Sequence, residues 1–329
     1  MLSRAVSRRM IVCWVAALGL LAGCAGEDLA KKNFERTTVK AEPGTGQGQV
    51  PSGPIDDPAV ELTALRTVDA CGLLGDDVVG NFTPQDDPTG SGWGMCSRSF
   101  VDPGGKPIRV LLEVGEGSVF PDQATSNIAG LPLVQTSVDE TSCVSTAVTQ
   151  RDPGLGISVM ATHEQGGDPC QSGYVVLESV IGQLRANPPM LTPQEGSLLT
   201  VDLCESLASE ELAAVLDTDE EARVMPSGLH FCQLSQDDFV VYAHARVGFP
   251  VSPTEGTKEI ELAEGLPAVQ EPGTTDMAEC DVSWNHLELG EDEAELISLS
   301  YYDYAGEGDV DAACERATEL AKAMVKTLP

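Results

Sequence analysis

Ten cysteines, four histidines and three acidic runs are the side chains of this sequence that could carry chemistry. Cys71, Cys96, Cys143 and Cys170 recur as Cys204, Cys232, Cys280 and Cys314. None stands in a Cys-x2-Cys pair, the tight spacing that a structural zinc site uses, so no metal is expected on them. His163, His230, His244 and His286 form neither a His-x3-His nor a His-Glu-x2-His pattern. They read as surface or sheet-edge histidines. The acidic runs are Asp217, Asp219, Glu220 and Glu221; Glu291, Asp292 and Glu293; and Glu307, Asp309 and Asp311. Calcium needs oxygen ligands at fixed offsets, as in Asp-x-Asp-x-Asp-Gly, and none of the three runs has them. A solvated acidic surface is the expectation. The chain also lacks a Gly-x-Ser-x-Gly elbow, a Ser-x2-Lys pair, a phosphate-binding loop and a dinucleotide fingerprint. No catalytic residue, metal or cofactor is therefore assigned.

Two cysteines belong to export. Residues 1–23 begin with Arg4, Arg8 and Arg9 and no acid, followed by an apolar run from Ile11 to Ala22. That run is too short to span a bilayer, which takes about 20 apolar residues. Cys13 lies within it. The run ends in Leu20-Leu21-Ala22-Gly23-Cys24, which resembles the bacterial lipobox. In that chemistry the Cys24 thiol takes a diacylglyceryl group, and cleavage leaves Cys24 as the new N-terminus. Each buried lipid CH2 contributes about 0.8 kcal/mol and stable anchoring takes two chains, which a diacylglyceryl cysteine supplies. The expected location is the outer face of the cell membrane. Residues 24–60 are polar and rich in Gly, Pro and Gln, with no apolar period, and read as a flexible tether.

The chain carries 19 Lys+Arg against 52 Asp+Glu, a formal charge of −33. Removal of residues 1–23 takes three arginines and no acid, leaving 16 against 52, or −36. Such a charge excludes nucleic acid as a partner, because phosphate contacts need Lys and Arg. It also excludes adhesion to anionic lipid through a basic face.

The body reads as two copies of one unit. Thr67-Val68-Asp69-Ala70-Cys71 matches Thr200-Val201-Asp202-Leu203-Cys204. Ser91-Gly92 with Cys96 matches Ser227-Gly228 with Cys232, and Gly130-Leu131-Pro132 through Gln135 matches Gly265-Leu266-Pro267 through Gln270. The units cover 61–188 and 195–329, with a Pro-rich connector between them. In each, Asp-x-Cys opens a short helical pattern, β-rich segments follow, and an apolar helical stripe closes the unit. The segments include 107–114 and 239–245. The closing stripes run over Val175–Leu184 and Ala313–Val325. No strand–helix alternation occurs, so the expected class is α+β: two tandem homologous domains, each an antiparallel sheet carrying N- and C-terminal helices.

Eight cysteines in an exported chain read as disulfides, two per domain. Four cysteines allow three pairings, and spacing alone does not choose among them. Placement favours Cys71–Cys96, Cys143–Cys170, Cys204–Cys232 and Cys280–Cys314, since each would staple a terminal helix to a neighbouring strand.

The lipobox, the polar tether, Asp69-Ala70-Cys71-Gly72-Leu73-Leu74, the Gly-x3-Cys segment, Gly-Leu-Pro ahead of a third cysteine and Asp168-Pro169-Cys170 together resemble an actinobacterial envelope-lipoprotein family, domain of unknown function 3558. Copy two departs from it, with Asp311-Ala312-Ala313-Cys314 where Asp-Pro-Cys would stand, and the family's usual member is a single domain. The resemblance implies an exported, cysteine-stapled α+β module and no reaction.

One local feature differs between the copies. Tyr301, Tyr302 and Tyr304 fall where copy one has Ala161, Thr162 and Glu164. By alternation Tyr302 and Tyr304 share a face. With Trp284 they are the candidate binding patch, the plainer alternative being sheet–helix packing with one ring exposed. The function expected is non-catalytic binding of a small ligand, a wall component or a protein. The alternative is a structural or accessory subunit of an envelope complex, and an enzyme comes third. A shared pocket with buried polar residues favours binding. Juxtaposed carboxylates with one buried reopen the enzyme reading.

Overall fold

Four aspartates start four helices. Asp69 and Asp202 accept from the backbone N–H of Cys71 at 3.0 Å and of Cys204 at 2.9 Å. Asp168 and Asp309 accept from Gln171 and Ala312, both at 3.0 Å. A side-chain oxygen placed there satisfies one of the orphan N–H groups of a first turn. The Asp-x-Cys motif is thus a helix cap that sets the second helical residue against the sheet for a disulfide.

The computed structural model describes residues 48–76, 81–90, 92–216, 222–236, 238–273, 278–304 and 309–329. After helix α1 (Leu62–Leu65) and α2 (Ala70–Leu73), the first lobe forms strands β1 (Thr83–Pro84), β2 (Thr89–Gly90), β3 (Met95–Val101), β4 (Pro107–Glu116), β5 (Ser126–Ile128), β6 (Leu131–Ser137), β7 (Ser142–Arg151) and β8 (Gly154–Thr162), then α3 (Pro169–Ala186). The second lobe has α4 (Leu203–Leu207), α5 (Glu210–Leu216), β9 (Arg223–Gly228), β10 (Phe231–Gln236), β11 (Phe239–Gly248), β12 (Lys258–Ala263), β13 (Leu266–Pro272), β14 (Ala278–Glu288), β15 (Ala294–Asp303) and α6 (Val310–Val325).

The first sheet runs β1-β3-β4-β8-β7-β6-β5, with β2 also on β3. The second runs β9-β10-β11-β15-β14-β13-β12. Every pairing is antiparallel, and the two orders correspond strand for strand from β3 and β10 onward. The strands alternate in burial, as Cys96, Arg98 and Phe100 turn inward on β3 and Cys280, Val282 and Trp284 do on β14. Helix α3 covers β7 and β8 of its sheet and α6 covers β14 and β15 of the other, each through an apolar stripe.

Four disulfides pin helices to strands: Cys71 on α2 to Cys96 on β3, Cys143 on β7 to Cys170 on α3, Cys204 on α4 to Cys232 on β10, and Cys280 on β14 to Cys314 on α6. Closing loops of 25 to 34 residues stabilises each by roughly 3–4 kcal/mol in the chain-entropy picture. Oxidised cysteines suit an exported protein. Among the described residues no helix is long and apolar enough to cross a membrane.

Part of the segment expected to be tether, residues 48–60, is ordered against the first lobe. Val60 is buried in its core and Ile55 packs against it. Asp57 pairs with Arg185 at 2.7 Å, and Arg151 donates to the carbonyls of Pro51 and Gly53. Polar composition hid this, because the docking uses two aliphatic side chains and backbone carbonyls. The connector after α3 also folds back, with Val68 bridged to Met190.

Candidate functional site

The two lobes meet through the residues that lead into β3 and β10. Leu229 is buried in the first lobe's core, and Trp93 packs against the second lobe's core. Leu229 enters a groove of glycines. A Cβ on Gly94 would sit 2.8 Å from its side chain, and one on Gly115 would sit 3.0 Å away. Both glycines have positive φ, 77° and 74°, which side-chain-bearing residues rarely adopt. On the opposite flank Trp93 meets His230, their rings 4.6 Å apart. Buried Arg66 of the first lobe pairs with Asp202 of the second at 2.7 Å.

Where Trp93 meets His230 the lobes do not close. A cleft of about 530 Å3 remains, walled by the end of β4 on one side and by β11 on the other. Val114 pairs with Ile157 and Glu116 with Gly156, so Gly115 is an extra residue, a bulge in β4. Alternation alone would send Glu113 and Glu116 to opposite faces. The bulge resets the phase and brings them together on one face. Strand β11 has no bulge there. Cys96 lies across from Leu112 and Cys232 across from Ala243, so the ladders set Glu113 in correspondence with His244, and Glu116 with Arg246. Corresponding positions of the two walls thus carry acids on one lobe and bases on the other.

Electrostatics sharpens this asymmetry. Burial, followed by the hydrogen bond and charge of Glu113, pushes the Glu116 carboxyl up to about 8. At neutral pH the Glu116 carboxyl therefore keeps its proton. Burial, followed by the charges of Arg66 and His244, holds His230 down at about 3. It is a neutral imidazole, 6% exposed, lining the cleft. Neither of its ring nitrogens has a hydrogen-bond partner of good geometry, although each is buried. Desolvation of the imidazole against the cleft wall, on a residue whose outer edge is exposed, and then the charge of Arg246 also lower His244. Among the described residues Arg246 forms no ion pair. A second hollow of about 350 Å3 shares Gly92, Trp93 and Val247 with the cleft. There the buried Glu295 carboxylate accepts from the Ser197 hydroxyl and the Leu198 N–H, both at 2.6 Å.

The expected patch does not assemble. Trp284 is 1% exposed in the second core, on the helix-covered face of β14, because it pairs with buried Ile297. Tyr302 lies on the other face of that sheet, half-buried, edge-on to Tyr242 at 5.7 Å between ring centroids. Tyr304 is exposed just past β15. Two histidines also depart from the surface expectation. His163 is buried with its Nε2 2.8 Å from the Ser172 hydroxyl, and His230 is buried at the lobe junction. His244 is exposed, and His286 lies 3.0 Å from the Gly196 carbonyl. Glu291, Asp292 and Glu293 are an exposed turn, and Asp309 caps α6. The cluster at 217–221 and Glu307 lie outside the described residues, as do Cys13, Cys24 and the rest of 1–47. Among the described residues no group of three His, Cys, Asp or Glu side chains is placed to hold a metal ion.

The Glu113–Glu116 pair was not singled out from the sequence. A spacing of three on a strand separates faces, and only Gly115 between them signals the bulge that reverses this.

No family model matches the chain, and no curated protein matches it. Among solved structures it is similar to the crystal structure of DynU16, from the dynemicin biosynthetic locus. Identity is 13%, over 83% of this chain and 94% of that one, with a TM-score of 0.18. A likeness this slight fixes neither fold nor function.

Proposed function

We propose that this protein is an exported, lipid-anchored binding protein that holds a small ligand in the cleft between its lobes, without transforming it. The observation that carries the reading is His230. A buried polar group whose hydrogen bonds are left incomplete costs about 1–3 kcal/mol; His230 has only a loosely aligned contact with the Arg66 backbone, and it lines a cleft large enough for a small molecule. A bound ligand offers the missing hydrogen bonds.

Several features support the setting. The Leu-Ala-Gly-Cys24 sequence fits lipid attachment at Cys24 on the outer face of the membrane, and the disulfides fit export. The lobes are read as tandem homologous domains of the family resembling domain of unknown function 3558. Gln135 and Gln270, at matching places after Gly-Leu-Pro, both donate to the carbonyl of the last cysteine, Cys170 at 2.9 Å and Cys314 at 3.1 Å. Matching strand order from β3 and β10 onward, with the same side-chain device in both lobes, favours duplication.

A second reading has an observation of its own. Two carboxyls sharing a proton can serve as acid and base. Glycosidase pairs stand about 5–9.5 Å apart to admit the scissile bond, whereas here the carboxyls bond each other, which favours binding over hydrolysis of that kind.

The test is native mass spectrometry of the mature protein extracted gently from its own envelope. A reproducible mass beyond the lipid anchor is expected, and its loss from a His230→Leu variant ties it to the cleft. A bare protein in repeated preparations, with no ligand found by screening, overturns the reading. Replacement of Cys24 by serine moves the protein from the membrane to the soluble fraction if the anchor is as proposed.

A further inference from the structure

The cleft sets a carboxyl pair against a guanidinium on opposite walls. Glu113 and Glu116 come from β4, and Arg246, with the His244 imidazole beside it, from β11. Attraction would pair them directly if the walls could approach. They do not, because the tilted ring contact of Trp93 with His230 and Leu229 seated on the glycines fix the spacing of the lobes. The charges stand ready for something that spans the gap. The remaining lining is mostly apolar, with Trp93 and Phe231 beside Met95, Leu229 and Val247, together with glycines and two serines.

We propose that the cleft takes a small zwitterion of the amino-acid or short-peptide type, its ammonium on the Glu113 and Glu116 carboxyls and its carboxylate on Arg246. This rests on the ligand-binding reading above and gives it a chemical class. The charge-assisted bonds to carboxylate and guanidinium are the strong kind, and Arg246 can hold a carboxylate by two parallel N–H donors. The neutral His230 ring offers a ring nitrogen to the polar middle of the ligand. Trp93 and Phe231 supply faces that favour a nearby ammonium. A free dicarboxylate is disfavoured by the carboxyl wall and by the chain's −33 charge. A polyamine is disfavoured by Arg246.

Binding has a proton signature. The free cleft holds one proton on the carboxyl pair at neutral pH. An ammonium favours the doubly ionised pair, so that proton passes to the buffer as the ligand enters.

The experiment is calorimetry on the mature, disulfide-intact chain at pH 7, in two buffers of different ionisation enthalpy. The probes are the L-amino acids and a set of dipeptides, with spermidine, succinate and glucose beside them. The expected result is saturable binding of one or more zwitterions with release of up to one proton. Glu116→Gln, which keeps the shape and the neutral-pH charge, abolishes the proton release. Arg246→Gln weakens binding at least about tenfold, the scale of one charge-assisted bond. Circular dichroism and melting temperature confirm that both variants fold. Binding of succinate or spermidine ahead of every zwitterion overturns the proposal, as does zwitterion binding unchanged in both variants. Binding of glucose alone, or a co-purified ligand of another charge type, overturns the zwitterion while leaving the ligand-binding reading in place. No binding by any probe, with a bare native mass, overturns both.

Discussion

Trp93 and Leu229 stand at the same place in the two sheets, two residues ahead of β3 and β10, and each is packed into the other lobe's core. The exchange makes the lobes one cooperative unit. Truncating Leu229 to alanine should cost about 2–4 kcal/mol, since it removes a buried side chain from a groove whose backbone walls cannot collapse. Denaturant unfolding of Leu229→Ala should also lose its single transition, the lobes melting separately. One sharp transition with wild-type midpoint would show that the exchange carries no coupling.

Gly117 and Gly182 separate steric demand from backbone entropy. A Cβ on Gly117 would lie 1.8 Å from the Ser227 carbonyl oxygen, across the lobe junction. Both atoms are fixed to backbone, so Gly117→Ala must push the lobes apart, with an expected loss of at least about 2 kcal/mol. Gly182 lies exposed within α3, with open space where a Cβ would go. Gly182→Ala should therefore stabilise by about 0.5–1 kcal/mol. Thermal melts of the two variants should move in opposite directions.

The cleft gives stability a dependence on pH with two opposed limbs. Glu116 has a folded value raised to about 8, above its unfolded one. The folded state then binds the extra proton, so stability falls as pH rises from about 4.5 to 8 and levels off beyond. His230 is depressed to about 3 when folded. There the unfolded state binds the extra proton, so stability falls as pH drops from 6.5 towards 3. Between about 4.5 and 6.5 the two offset each other. Glu116→Gln should flatten the limb from pH 6.5 to 8, and His230→Leu the limb from 4.5 down to 3. Melting temperatures across pH 3–9 for wild type and both variants decide this, and a limb that persists in its own variant refutes the assignment.

The antiparallel sheets, the helices on them and the disulfide staples were legible because short-range signals mark them. Alternation shows in β4 and β11, aspartate caps stand two residues before Cys71 and Cys204, and Gln135 and Gln270 keep their place after Gly-Leu-Pro. What makes the cleft was not legible. Glu113 and Glu116 meet only because one glycine shifts the strand phase. Trp93 and Leu229 look like loop hydrophobics until the lobes are set together, which no local pattern encodes. His230 looked superficial for the same reason, its burial coming from the opposite lobe. Trp284 misled in the other direction, since a tryptophan on a strand marks a core as readily as a surface and its partner Ile297 decides which.

Trp93 also provides a direct reporter of the cleft. The sequence has three tryptophans, at 14, 93 and 284. Trp14 lies in the segment expected to be removed on export, leaving two in the mature protein. Trp284 is sealed in the core, so its emission should be blue and indifferent to ligand or quencher. Trp93 borders both the cleft and the neighbouring hollow and is in ring contact with His230. Its emission should respond to acrylamide in the free protein and lose that response when the cleft fills. Trp93→Phe should remove the quenchable component and the ligand-dependent change together, while keeping most of the aromatic packing. A ligand-induced change that survives in Trp93→Phe would move the binding site away from this cleft. Because the exchanged side chains hold the lobes at a fixed spacing, the radius of gyration from solution scattering should not change on binding. Rigidity of this kind limits the affinity lost to ordering the site, so the fluorescence titration should be hyperbolic without a slow closing phase.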